Sequence, residues 1–183
     1  MKKLVSLSII ILILAFFSLS YSQEIGANAP DYSARDYNGN NISLSSLRGK
    51  VVLLKFWAAW CGPCIRSLPA TWEKHKKYSS QGFTVVMVGI GGQESDSAAL
   101  SQRGYNFPIL IDGKANGRPA GYQFDGIPFE VLIGKDGKIL WKGHWGLTNQ
   151  MVENALSGSS GSAAQNPEPQ TNNSGGNDSG RLD

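Results

Sequence analysis

Cys61 and Cys64 are the only two cysteines in a chain of 183 residues, and they stand three positions apart in Trp60-Cys61-Gly62-Pro63-Cys64. If a helix starts at Gly62, the second thiol lies one turn beyond the first, close enough to form a disulfide with it. The first thiol then sits at a helix N-terminus, where the partial positive charge favours thiolate. Such a pair is suited to thiol–disulfide exchange: Cys61 attacks a partner disulfide and Cys64 resolves the mixed disulfide. Pro63 lacks an N–H, which is harmless in a first helical turn. Gly62 allows close approach of a partner backbone. Two plainer uses compete. A structural bridge closing so short a loop adds little stability. Half of a metal site needs further ligands, and His75 and His144 are the only histidines, so no metal is expected.

A thiol at the start of a helix needs a strand to deliver it. Val51–Trp57 is a near-continuous apolar run, as in a central strand covered on both faces. The helix is predicted from Gly62 to about Tyr78, kinked by Pro69. Phe83–Gly89 reads as a second buried strand. Asp96–Arg103 reads as a helix with Ser95 as N-cap and Gly104 as its stop. Phe107–Ile111 is a short strand, and Lys114–Phe124 an irregular helix. Phe129–Ile133 and Lys138–Lys142 form a hairpin around Lys135-Asp136-Gly137. Thr148–Leu156 closes the domain as a helix. Upstream, Asp31–Asp36 and Asn41–Leu44 flank an Asn38-Gly39-Asn40 turn, a hairpin signal, and Ser45–Arg48 makes one helical turn. The expected architecture is α/β, with a mixed central sheet between two helical layers.

The ends differ from this body. Residues 1–22 read as an export signal: Lys2 and Lys3, an apolar stretch over 4–19 with the unbroken run Ile9–Phe17, then Ser20-Tyr21-Ser22 before a cleavage at Gln23. The alternative is an uncleaved anchor, although the run is short for a membrane span. Residues 157–183 are rich in Ser, Gly, Asn, Gln and Pro, and read as a disordered tail that serves as a spacer. Residues 24–156 remain for a single domain. Removing residues 1–22 takes two lysines with it, so the formal charge of +3 falls to +1 (15 basic against 14 acidic residues). That leaves no basic patch for nucleic acid. Two cysteines exclude a disulfide scaffold and a four-cysteine zinc site.

Phe56-Trp57-Ala58-Ala59-Trp60-Cys61-Gly62-Pro63-Cys64 resembles the active site of the thioredoxin superfamily. The stretch before it, from Ala29 to Trp57, is similar to the N-terminal part of exported TlpA/ResA-like thiol–disulfide oxidoreductases, and also resembles peroxiredoxins. The likeness continues to about Leu156. It implies a thioredoxin-like fold with an N-terminal β-hairpin and a βα insertion. It also implies that Cys61 is the exposed nucleophile and Cys64 the resolving thiol. Pro128 matches the cis-proline that faces the disulfide, and the backbone of Ile127 pairs with an incoming peptide. Trp60, Gly62 and Pro63 line the approach. Glu94 matches an acidic residue near the active site that tunes thiol pKa; a solvated loop carboxylate is the other reading. No cofactor is implied beyond the Cys61–Cys64 disulfide. The implied partners are protein disulfides and dithiols, with a membrane thiol electron donor, and the fold works as a monomer.

Two positions depart from the family pattern. Lys55 stands where thioredoxins carry a buried Asp and many relatives an Asn. In register it points under the cysteines, where a cation favours thiolate. Pairing with Glu94 or Glu130, and snorkelling from the sheet edge, are its other readings. Phe129 stands where a Thr usually follows the cis-proline, and serves either a peptide groove or the core. Three other functions are tested by residues or spacing. A peroxidase needs Pro and Thr or Ser where Leu54 and Ala58 stand. A copper-delivery module needs one more residue between the cysteines. A non-enzymatic adaptor needs only a disulfide that stays oxidised.

Overall fold

The computed structural model describes residues 24–113 and 121–158. The export segment 1–22, nearly all of the tail and most of the expected helix 114–124 lie outside them. Gly121–Phe124, the described end of that helix, is irregular.

A two-stranded hairpin opens the fold, β1 (Ser33–Arg35) and β2 (Asn41–Ser43), paired antiparallel. The Asp36 carboxylate closes its turn by accepting the N–H groups of Asn38 and Asn40. The main sheet holds β3 (Val51–Trp57), β4 (Phe83–Gly89), β5 (Ile109–Asp112), β6 (Phe129–Ile133) and β7 (Ile139–Gly143) in the order β5-β4-β3-β6-β7. β3, β4 and β5 run parallel; β6 is antiparallel to β3, and β7 to β6. β3 and β4 are buried at every position, as their apolar runs require of central strands.

Successive side chains of β3 point to opposite faces. Val51, Leu53 and Trp57 share a core with residues of α1 (Gly62–Tyr78), α2 (Gln93–Ser101) and α3 (Asn149–Ser157). Val52, Leu54 and Phe56 pack instead with the hairpin, with Leu44 and Leu47, and with Tyr122 and Phe124. Helices α1, α2 and α3 therefore pack on one face. The hairpin, the single helical turn Ser45–Leu47 and an aromatic segment pack on the other.

α1 runs unbroken through Pro69. α3 begins at Asn149, one residue later than expected, because Thr148 is its cap: Thr148 Oγ1 accepts the Met151 N–H at 3.2 Å. It extends one residue further than expected, to Ser157, with Gly158 left-handed behind it. α2 corrects its expectation. It begins at Gln93, three residues before Asp96, with Gly92 at the cap. Ser95 is inside the first turn, its hydroxyl donating back to the carbonyls of Gly91 and Gly92. The Asp96 carboxylate turns back to accept the Gly91 N–H, just ahead of the helix, at 3.1 Å.

Candidate active site

β3 ends at Trp57, and a single turn over Ala58–Trp60, closed by the Cys61 N–H on the Ala58 carbonyl at 3.1 Å, leads into α1. Cys61 is the N-cap of α1, in extended conformation. Its sulfur accepts the Cys64 N–H at 3.2 Å. The two cysteines are joined as a disulfide, their Cα atoms 5.2 Å apart. Cys61 keeps 5% of its surface exposed and Cys64 none, so only the first is open to a partner. The helix terminus and the Cys64 N–H both favour negative charge on the Cys61 sulfur.

Trp60 is 68% exposed at the tip of the turn. Gly62 is exposed, and the space where a side chain would start holds only the Arg66 guanidinium at 3.5 Å. Pro63 occupies the first turn, half-buried. Facing them, the Ile127–Pro128 peptide bond is cis, and the Ile127 carbonyl oxygen lies 3.5 Å from the Cys61 sulfur. His144 braces this segment. Its Nδ1 lies 2.8 Å from the Pro128 carbonyl oxygen and its Nε2 3.0 Å from Asp125 Oδ1. Phe129 is buried, stacked on Phe124 with ring centroids 5.1 Å apart and packed edge-on to His144, which makes it core rather than groove.

Lys55 is fully buried beneath α1. It does not snorkel. Antiparallel register places it opposite Glu130, and Nζ donates to Glu130 Oε1 at 2.5 Å. Its other two donors reach Ser67 Oγ at 2.9 Å and Thr71 Oγ1 at 3.1 Å. Ser67 Oγ in turn donates to the Cys64 carbonyl at 2.7 Å. The ammonium thus has a partner for every proton, as a charge buried at this depth requires. Ser67 and Thr71 lie three and seven residues beyond Cys64, one face of one helix. That spacing was readable; its use was not, without knowing that Lys55 lay below.

Glu94 is exposed on the first turn of α2 and shares no hydrogen bond or ion pair with the cysteine turn. The acid that does reach this turn is Asp96, two residues on, fully buried, with Oδ1 accepting the Ala59 N–H at 2.7 Å. Burial pushes its carboxyl above the ordinary carboxylate range, against the opposing hydrogen bonds from Ala59, Gly91 and Gly92. Its only sequence signal was an acidic residue close behind the three glycines of Gly89-Ile90-Gly91-Gly92.

His75 packs against Trp72 and Phe107, apart from the cysteines. Among the described residues, no group of three or more His, Cys, Asp or Glu is placed to hold a metal ion.

What the sheet and the cysteine pair define is a thioredoxin-like protein built for thiol–disulfide exchange. Comparison with known proteins places it more closely. Residues 25–142 match the AhpC/TSA family, and the chain belongs to that family. It is 33% identical over 145 residues to thiol-disulfide oxidoreductase ResA of Bacillus subtilis, covering 78% of this chain and 79% of that protein. It is 35% identical over 128 residues to ResA of Bacillus thuringiensis, covering 68% and 72% respectively. Among solved structures, it is similar to a protein taken to be the thiol:disulfide interchange protein DsbE of Chlorobium tepidum. The TM-score there is 0.64 at 33% identity, over 73% of this chain and 98% of that one. The thioredoxin domain of a Bacteroides vulgatus thiol-disulfide oxidoreductase matches with a TM-score of 0.62 at 26% identity, over 74% and 96%. The chain is a thiol–disulfide oxidoreductase of the ResA/DsbE type with a Cys-x-x-Cys pair.

Proposed function

We propose that the protein works outside the cytoplasm as a monomeric reductant of protein disulfides. The observation that carries this is the pairing of a partly open Cys61 sulfur, held at a helix N-cap, with the Ile127 carbonyl oxygen 3.5 Å away. In the reduced protein, the Cys61 thiolate attacks one sulfur of a partner disulfide. A Cys61–partner disulfide forms and the partner's other sulfur leaves as thiolate, taking up a proton. Cys64, deprotonated, then attacks the Cys61 sulfur. The Cys61–Cys64 disulfide closes and the partner's second thiolate is released. The partner gains two electrons and two protons, and the protein loses them. No cofactor beyond the cysteine pair enters. Trp60 and the Ile127 backbone receive the partner's chain; Gly62 and Pro63 keep the approach open.

The Gly-Pro pair between the cysteines matches the reducing end of the superfamily, and a membrane thiol donor would return the pair to the dithiol. The apolar stretch 4–19 supports export, by a cleaved signal or a retained anchor. Cysteines awaiting haem attachment in cytochrome c assembly, and mis-oxidised exported proteins, are the substrate classes this reading favours. Lys55 supports thiolate from below, its charge moderated by Glu130. Glu94, exposed beside the start of α2, is left as a residue partners would meet.

The test is the reduction potential of the Cys61–Cys64 pair, titrated against glutathione or dithiothreitol. A value below about −220 mV is expected of a reductant; one above about −180 mV would make the protein an oxidant or isomerase.

A further inference from the structure

The turn that presents Trp60 and Cys61 is held at both ends. One end is the Cys61 N–H on the Ala58 carbonyl, within the turn itself. The other is the Ala59 N–H, which is donated across the fold to Asp96 on α2. We propose that Asp96 is a positioning residue of the exchange reaction. Its carboxylate pins the Ala59 end of the turn, and so sets how a protein disulfide meets Cys61.

Three observations converge on this. The carboxylate is fully buried, and among the described residues it forms no ion pair with a Lys, Arg or His. It lies instead among backbone donors: Oδ1 takes Ala59 at 2.7 Å and Oδ2 takes Gly91 at 3.1 Å. A neutral side chain could not replace it there. An amide has one acceptor oxygen, and its NH₂ would face an N–H group.

The second observation is the space around it. A Cβ on Gly89 would come within 2.3 Å of Asp96 Oδ2, and one on Gly91 within 2.5 Å of Oδ1 and 3.2 Å of the Ala58 side chain. Both glycines are therefore occupied by the carboxyl group, which is wedged between the end of β4 and the cysteine turn. The third is its electrostatic setting. The groups that face it are the Tyr37 hydroxyl, from the hairpin turn, and Asp112, at the end of β5. Neither offers a positive charge. A buried anion in such surroundings is costly, and a lone N-terminal cap for α2 did not require one, since a Ser or Thr hydroxyl serves that purpose at the surface. What the carboxylate adds is a rigid link from α2 to the turn carrying Trp60 and Cys61.

The link acts on position, because Asp96 touches neither cysteine. A large partner must fit the turn, Trp60 and the Ile127 backbone together. A small disulfide needs only the thiolate. The inference rests on thiol–disulfide exchange at Cys61, and the test separates the two. Reduced protein is assayed on insulin, as a protein disulfide, and on dithionitrobenzoate, as a small aromatic one. In Asp96→Asn the insulin rate constant should fall about tenfold, between the effect of one hydrogen bond and that of a misplaced reacting group. The dithionitrobenzoate rate should change by less than about twofold, since only the thiolate is needed. Thermal unfolding shows that the assay temperature lies below the transition. Gly89→Ala, whose Cβ would meet Asp96 Oδ2 and the Tyr37 hydroxyl rather than the cysteine turn, pushes the carboxylate aside without removing its charge; it should move the same ratio the same way, and decides the matter if the Asn variant does not fold. Equal losses on both substrates, or none, would overturn the assignment: a purely structural carboxylate lowers stability and leaves the ratio alone. If the unmutated protein reduces neither disulfide, the reaction itself is absent and the assignment falls with it.

Discussion

Lys55 and Glu130 show how a charge can be brought under a redox pair without dominating it. A lone ammonium there would stabilise the Cys61 thiolate, and with it the reduced form, making the pair more oxidising. Glu130 at 2.5 Å offsets most of that field, so the pair acts at short range and is nearly neutral beyond it. Removing one partner has two expected effects. Lys55→Asn leaves a carboxylate in a site only 8% exposed, which should cost about 3–5 kcal/mol in denaturant unfolding. It also leaves a negative charge below the cysteines, so the pH midpoint of Cys61 alkylation should rise. Lys55→Met with Glu130→Leu should recover most of the stability, because both charges then leave together. An unchanged alkylation midpoint in Lys55→Asn would remove Lys55 from the tuning of the thiol.

At the scale of elements, two effects oppose each other on His75. It lies in the last turn of α1, where the helix dipole favours an imidazolium. Burial against Trp72 and Phe107 disfavours one, and its Nδ1 is buried without a hydrogen-bond partner among the described residues. Burial prevails, and the imidazole is held below its ordinary value of 6.5. The unfolded chain therefore binds the proton more readily than the folded one. The stability this contributes is full above the unfolded value and is lost as pH falls below it. Denaturant unfolding measured between about pH 7 and 5 should show that slope, and His75→Phe should flatten it. The same balance of local signal against tertiary context explains what was legible beforehand. β3 and β4 were readable because their unbroken apolar runs act locally, and α1 because its start is tied to the cysteine pair. The cysteine pair was readable because its spacing is itself the chemistry. The start of α2 was misread because Gly92, at positive φ, opens the helix without a side-chain cap, and Ser95 lies inside its first turn instead. The Lys55 network and the Asp96 link were hidden for one reason: each joins residues more than ten positions apart through a register or crossing that only the folded sheet supplies.

For the molecule as a whole, redox state and folding form one thermodynamic cycle. Closing the Cys61–Cys64 bridge in the folded and in the unfolded chain differs in free energy by the amount that the bridge changes stability. A strong oxidant has a stabilised dithiol form, and a reductant the reverse. Here the disulfide is packed into the larger core with Leu68, Trp57 and Ala58, while the charges that could favour a thiolate are largely taken: Lys55 by Glu130, and the Asp96 region carries only negative charge. What remains near the thiolate is the helix terminus, the Cys64 N–H and the exposed Arg66 guanidinium beside Gly62. If the protein is the reductant proposed above, the folded state favours the oxidised form. The oxidised protein should accordingly unfold at higher denaturant than the protein kept in dithiothreitol, with each 30 mV of potential below that of the unfolded dithiol adding about 1.4 kcal/mol to the difference. The two unfolding curves and a redox titration over-determine the cycle, since either predicts the other. A reduced protein more resistant to denaturant than the oxidised one would reverse the direction of electron flow proposed for this chain, whatever partner it is found to meet.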